Sequence, residues 1–518
     1  MKKINNNLIM KALIVFLMIQ PIFDLSFFYG QIATLIRIFI ILTMLFFTLK
    51  LDKGSKLKKY FLIYLFVVFI YLIFHDINCR IFTSLVPGNF NYNTIAEICY
   101  VLKMLMSLCL LYIVYKSKLR FSELDKPLNY IVLFIALSII VLNLLGVSYS
   151  SYGNEIIKGN FFAWFTDHHY LFSQLSSRGY FAFTNQIVAI LLLYLPIIVY
   201  FLLTKFKPLN IISFLSLLLS MLMMGTRIAV YGTFLTICLL ILIYIILVVI
   251  KQQKFKIVNF IALIVFLIVF YMLIDYSPVK LKEKYYNNIY NKEQIILDKE
   301  PVISNSNIPN KETNSNIPNK ETNSNKNNND LTYIKNNYQE KIIYEEFIIK
   351  RYPYQYDTNF WINIMKKPIE SRVDTRFLEI AMVKRITDIN NNKIDYLVGI
   401  GYNRVQNIFN IERDYIMQYY CLGIIGVIIF LGAYFVTIIY SLIVIIRDFK
   451  NKFIFKNIVL LSTIIIMLLA AYFSGNLLNG LGCIIPLSII CGVLLNEVNY
   501  VKINTEKLIE VKNERQNS

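Results

Sequence analysis

Hydrophobic residues in this chain fall into runs of about 20, the length a helix needs to cross a bilayer, separated by short polar stretches. Twelve runs are legible, near 8–28, 32–49, 60–77, 95–115, 128–147, 184–203, 209–225, 228–250, 257–274, 421–446, 457–475 and 480–496. Each is expected to be helical, because hydrocarbon offers no partner to an exposed backbone amide or carbonyl. The pattern predicts an all-α polytopic membrane protein with about 12 transmembrane helices and one large extracytoplasmic loop. It divides the chain into a membrane domain over 1–274, a loop over 275–414, a second membrane portion over 415–500 and a cytoplasmic tail over 501–518. The first run follows Lys2, Lys3 and Lys11 and has no small-residue cleavage site at its end, so it reads as a retained helix rather than a removed signal peptide.

Basic residues set the expected orientation. One alternate set of connections carries Lys50, Lys53, Lys56, Lys58 and Lys59, then Lys116, Lys118, Arg120 and Lys126, then Lys205 and Lys207, and continues through Lys251, Lys254 and Lys256 to Arg447, Lys450, Lys452 and Lys456. The other set is nearly bare. By the positive-inside rule both termini are then cytoplasmic and the 275–414 loop lies outside. The formal charge of +20 has the same origin, since the loop holds 21 Lys and Arg against 19 Asp and Glu, leaving 31 against 13 elsewhere. The excess is topological, and nucleic-acid binding is excluded as its explanation. Five of the seven cysteines fall inside runs, and their spacing fits neither a disulfide framework nor a zinc site.

Within the loop, 305–329 repeats Asn-Ser-Asn-Ile-Pro-Asn-Lys-Glu-Thr and then runs into Asn and Lys, which reads as a disordered insert without chemistry. Apolar and aromatic residues return over 340–398, and Phe377 to Arg385 has helical spacing, so a small, partly helical cap is expected there.

Four polar constellations stand out against this apolar background. Ser177-Arg178-Gly179-Tyr180-Phe181 with Asn185 opens the sixth run, where Arg178 either forks around an anion or snorkels at the interface. Gly225-Thr226-Arg227 is a tight turn that puts a lone cation where the inside rule avoids one, which favours anion binding. Arg37 lies within the second run and needs either a wet cavity or an ion-pair partner such as Asp24 or Glu97. Glu412 and Asp414, with Arg404 and Arg413 close by, precede the tenth run. There a carboxylate either deprotonates a sugar hydroxyl or merely favours the positive end of a helix. His168-His169, beside Asp167 and Trp164, lacks further metal ligands at recognisable spacing and reads as an interfacial loop.

Taken together, Arg-Gly-Tyr-Phe…Asn at 178–185, Gly-Thr-Arg at 225–227 and Gly-Ile-Gly-Tyr…Glu-Arg-Asp-Tyr…Gly-Ile-Ile-Gly at 399–426 resemble the O-antigen ligase and O-antigen polymerase (Wzy) superfamily. The resemblance covers most of the membrane domain and not the repeat insert. Ligases of that superfamily commonly carry a histidine eleven residues before the first glycine of the Gly-x-x-Gly helix start, where this chain has Glu412, a departure that favours the polymerase branch. The resemblance implies a GT-C-like glycosyltransferase in a bacterial cytoplasmic membrane. Its donor is a glycan on undecaprenyl pyrophosphate or a similar polyprenyl carrier, and its acceptor is a sugar hydroxyl on a second lipid-linked unit. It also implies that no metal or other cofactor takes part and that a flippase and a chain-length regulator are partners. Arg178, Arg227, Arg404 and Arg37 would hold the pyrophosphate, with Glu412 as general base and Asp414 as a second candidate that alternatively orients Arg404 or Arg413. Two rival classes stay open. A transporter or flippase of the same glycans is one, although carriers usually show two related halves and none are visible here. A non-catalytic assembly subunit is the other.

Overall fold

A computed structural model describes residues 2–52, 54–83, 92–166, 170–297, 320–409 and 411–500. Its membrane portion consists of helices α1 (Lys2–Phe23), α2 (Gln31–Leu51), α3 (Lys56–Ile81), α4 (Thr94–Ser117), α5 (Asp125–Leu144), α6 (Thr184–Thr204), α7 (Pro208–Met224), α8 (Thr233–Val249), α9 (Ile257–Ile274), α10 (Asp414–Arg447), α11 (Phe455–Phe473) and α12 (Leu481–Val498). A π-helical turn at Ile228–Gly232 leads into α8. Eleven spans are long and apolar enough to cross a membrane, α8 only together with the π-helical turn before it (Ile228–Val249), and α7, at 17 residues, is shorter. Among the described residues there is no strand, only isolated bridges such as Leu25 to Phe181 and Ser150 to Ser177.

Helices α6 and α12 are apolar on all sides and buried along most of their length, as expected of central elements. Around them α12 packs on α4 and α11, α6 on α7 and α11, and α5 on α7. The lysine-rich connections gather at one end of the bundle. There Lys116 meets Asp52 at 2.8 Å, and Glu497 receives both Arg120, at 2.8 Å, and Lys456. The bare connections and the long loop gather at the opposite end, called here the cap end.

Two boundaries differ from the sequence expectation. Helix α1 stops at Phe23 because the chain turns back through Asp24 to Tyr29, and the Ser26 amide donates to the Tyr180 carbonyl at 2.7 Å. Helix α10 starts at Asp414 rather than near 421. Its first turns carry Gln418, which accepts a hydrogen bond from the Tyr100 hydroxyl at 2.9 Å, so a polar stretch is buried as helix.

In the loop, helix Pro278–Leu297 follows α9, and short helices Thr358–Met365, Ile369–Val373, Thr375–Asn390, Ile394–Val398 and Tyr402–Phe409 lead to α10. The repeat insert lies outside the described residues over 305–319, and its last part, 320–329, is helical within Lys320–Asn337 rather than irregular. Fully buried Trp361 anchors the cap, donating to the Tyr352 carbonyl at 2.8 Å. Asp357 accepts Phe360 N–H as an N-cap and pairs with Arg385 at 2.7 Å.

The loop is fastened to α10 at a break. Gly423 is non-helical (φ 66°, ψ 176°), which frees the carbonyls before it from their intrahelical partners. Ile400 N–H then donates to Tyr420 O at 2.9 Å, Gly401 N–H to Cys421 O at 3.1 Å, and the Tyr71 hydroxyl to Leu422 O at 2.7 Å. This contact is backbone against backbone. A Cβ on Gly399 would lie 2.2 Å from Cys421 O and one on Gly423 2.3 Å from Leu397 O, which is why both positions are glycine.

Candidate functional site

At the cap end, the segment before α6 folds back on the connection after α5. Ser148 Oγ lies 2.6 Å from Ser177 Oγ and accepts Gly179 N–H at 2.8 Å, while Arg178 N–H donates to Tyr149 O at 3.0 Å. Ser177 N–H also donates to Met223 O at 2.8 Å, so the Arg178 segment sits directly against the Gly225-Thr226-Arg227 turn. Gly225 caps α7 in the left-handed region (φ 61°). Its carbonyl accepts the Tyr152 hydroxyl at 2.8 Å, and a Cβ there would meet Pro278 at 2.8 Å. That close approach brings the start of Pro278–Leu297, and with it Lys282, over the turn.

Three cations result, and among the described residues no carboxylate forms an ion pair with Arg178 or Arg227; Glu283, held by Tyr231 and Lys280, lies within electrostatic reach of Arg227. Arg178 is 7% exposed. It donates to Asn154 Oδ1 at 2.6 Å and stands over the Tyr149 ring at 5.9 Å, while its Nε has no partner. Burial lowers its pKa from the usual arginine value. Arg227 is exposed and forms no ion pair among the described residues. Lys282 lies over Tyr152 at 4.1 Å and near Phe172 and Tyr286 at 5.5 and 5.9 Å.

Glu412 adjoins the same region. Its Oε2 accepts from Arg376 Nη2 at 3.2 Å and Nε at 3.3 Å, and Arg376 also donates to Phe473 O at 3.1 Å. The Glu412 amide donates to Glu379 Oε2 at 3.3 Å. Glu379 is buried, with Arg351 3.9 Å away, and desolvation, then repulsion from Glu412, raises its pKa to about 8. Lys282 lies within electrostatic reach of Arg227, Arg376 and Glu412.

The remaining predicted residues are held elsewhere. Arg37 is 2% exposed and donates to Asp24 at 2.7 Å and to Gln20 Oε1 at 2.8 Å, with Phe23 beneath it at 5.4 Å. Its guanidinium is committed to an ion pair within the bundle rather than offered to a ligand. Glu97, the other carboxylate weighed for it, instead meets His75 Nε2 at 2.9 Å and accepts the Tyr402 amide at 2.8 Å. Arg404 donates to the carbonyls of Cys79 and Ile400 at 2.8 and 2.9 Å and lies over Phe82, stapling the loop to the end of α3. Asp414 is fully buried, and its Oδ2 accepts the amides of Leu477 and Leu478, both at 2.8 Å. It fastens the α11–α12 connection and orients neither Arg404 nor Arg413. His168-His169 with Asp167 lies outside the described residues.

Sequence reading missed Lys282, Arg376 and Glu379. Lys282 is one basic residue among many in its segment. Arg376 and Glu379 are three residues apart on one helical face, a signal present in the sequence but ordinary for a solvated helix.

A family model described as O-antigen ligase like membrane protein matches residues 6–501. No curated protein and no solved structure matches the chain.

Proposed function

Because this chain belongs to the O-antigen ligase like membrane protein family, and is thus a multi-pass membrane protein that processes glycans, we propose that it is a polysaccharide polymerase joining polyprenyl-pyrophosphate-linked repeat units. In this reading the cap faces outward from the cytoplasmic membrane and both termini face the cytoplasm, as the lysine-rich connections favour.

The bond that breaks is the donor's anomeric carbon–oxygen bond to pyrophosphate, and the bond that forms joins that carbon to an acceptor hydroxyl oxygen. Negative charge grows on the leaving pyrophosphate, where Arg178, Arg227 and Lys282 meet it. Glu412 accepts the hydroxyl proton, and Arg376 orients its carboxylate through two N–H contacts to one oxygen. The observation that carries the proposal is the packing of the Arg178 segment on the Gly225-Thr226-Arg227 turn, through Ser177 N–H to Met223 O at 2.8 Å, with Lys282 held over the turn on the Tyr152 ring at 4.1 Å. A glutamate where ligases of the superfamily commonly carry histidine favours the polymerase over the ligase branch.

Arg227→Ala and Glu412→Gln, each confirmed to reach the membrane in normal amount, are the test in a null strain. Surface glycan should stop at a single repeat unit. A persisting ladder in both variants overturns the assignment, and full-length glycan left unattached to its acceptor favours ligase-type transfer instead.

A further inference from the structure

Lys103 is the tenth residue of α4, roughly 14 Å along the helix from its cap end, deep enough to lie well inside the hydrocarbon. Among the described residues no carboxylate pairs with it and no hydrogen bond holds its ammonium. Its neighbours are two aromatic faces, Tyr100 at 5.3 Å and Tyr402 at 5.4 Å. These rings stack on each other at 3.8 Å and 11°.

Both rings are fixed from outside. Tyr100 donates to Gln418 on α10, and Tyr402 is seated by the Glu97 carboxylate on its amide, immediately after the glycine pair docked on the α10 break. Tyr29, whose hydroxyl interacts with Gln186, lies within electrostatic reach of Tyr402. Tyr402 of the loop and Tyr100 of α4 thus present a stacked pair of rings beside a lysine within α4.

An unpaired ammonium in hydrocarbon costs more than ring faces return, so such residues face a wet cavity or a ligand path. Arg37 and Arg404 meet this cost with a carboxylate and with carbonyls, and Lys103 has neither. Its position also gives access. Ile95, Ile98 and Cys99 form an exposed stripe of α4, and the partly exposed Lys103, four residues after Cys99, continues it with its stem while its ammonium turns inward over Tyr100 and Tyr402. The Arg178–Arg227–Lys282 cluster belongs to other elements, the loops around α6, α7 and Pro278–Leu297.

We propose that Lys103, framed by Tyr100 and Tyr402, is a second phosphate-binding site that takes the pyrophosphate of the other lipid-linked substrate from within the bilayer. This rests on the polymerase reading, in which donor and acceptor each carry a pyrophosphate.

Native mass spectrometry of the full chain in nanodiscs, titrated with undecaprenyl pyrophosphate, tests it. Wild type should bind two copies, Lys103→Met one, and Lys103→Arg two with affinity within about threefold of wild type. Arg178→Ala/Arg227→Ala should also bind one. Two copies on Lys103→Met overturn the proposal, as does displacement of the second copy by phosphatidylglycerol at equal mole fraction, which marks a general anionic-lipid site. If Lys103→Met does not fold, a photoreactive polyprenyl pyrophosphate on wild-type protein decides: cross-links in the 95–106 peptide support the site, and cross-links elsewhere only overturn it. Failure of the polymerase reading is separable, because it appears as a glycan ladder from both Arg227→Ala and Glu412→Gln whatever the binding count.

Discussion

Replacing Glu379 with glutamine should abolish a pH dependence built into the cap. Burial and the neighbouring Glu412 hold the Glu379 pKa at about 8, against an ordinary 4.5, so the folded chain keeps a proton that the unfolded chain releases. Between these values the native state binds more protons, and stability therefore falls as pH rises from 4.5 through 8. The loss amounts to about 3 kcal/mol at pH 7 and about 5 kcal/mol well above pH 8, at 1.36 kcal/mol per pH interval of difference. Glutamine keeps the oxygen that accepts the Glu412 amide and has no proton to lose. Thermal unfolding followed by tryptophan fluorescence reads the cap through Trp361, buried near Tyr352 and Phe360. From pH 5 to 9 the wild-type midpoint should fall more steeply than that of Glu379→Gln, and the variant should be the more stable above pH 7. Parallel profiles for the two proteins would refute the argument.

Three further outcomes follow from the same geometry. Lys282→Met should lower polymer formation by about 100-fold, comparable to removing one preorganised donor, with Lys282→Arg partly active and the unfolding temperature unchanged. Asp414→Ala leaves two buried amides without an acceptor, at about 2–4 kcal/mol in total, and should deplete folded protein on a size-exclusion profile. Asp414→Asn keeps the acceptor and should retain activity, in contrast to a folded but inactive Glu412→Gln. Gly399→Ala forces a side chain into the left-handed region (φ 87°) and onto Cys421 O, and should destabilise by about 3 kcal/mol or more, visible as loss of membrane-inserted protein on an immunoblot.

The membrane helices were legible because a 20-residue apolar run has one structural solution in lipid, and each of the twelve runs corresponds to a helix, with the largest boundary differences at α1 and at the start of α10. Even α7, too short to count as a span by length, was visible, since Gly225 and Arg227 mark its end. The site was legible only in part. Arg178 and Arg227 stand out because a cation is costly where they lie, and the structure packs their two segments against each other. Arg37 stands out for the same reason, and Arg404 and Asp414 by standing beside Glu412, yet partners elsewhere in the fold hold all three: Asp24, Cys79 O and the Leu477 and Leu478 amides. A sequence displays the cost of a charge but not the neighbour that offsets it. Lys282 and Glu379 are the converse, ordinary in a polar segment and notable only once the fold brings them beside Arg227 and Glu412.

The break at Gly423 has a consequence for biosynthesis. Tyr71, Ile400 and Gly401 all precede Gly423 in the chain, so the donors for its three freed carbonyls emerge from the ribosome before α10 does. Without them the three freed carbonyls of α10 would lie in the membrane without donor partners, a cost that favours a straight span. The loop is thus no detachable module. Excising it would strip α10 of two donors and leave a helix with a different shape, so chimeras exchanging caps between relatives should keep the segment from Gly399 to Gly426 with its own α3.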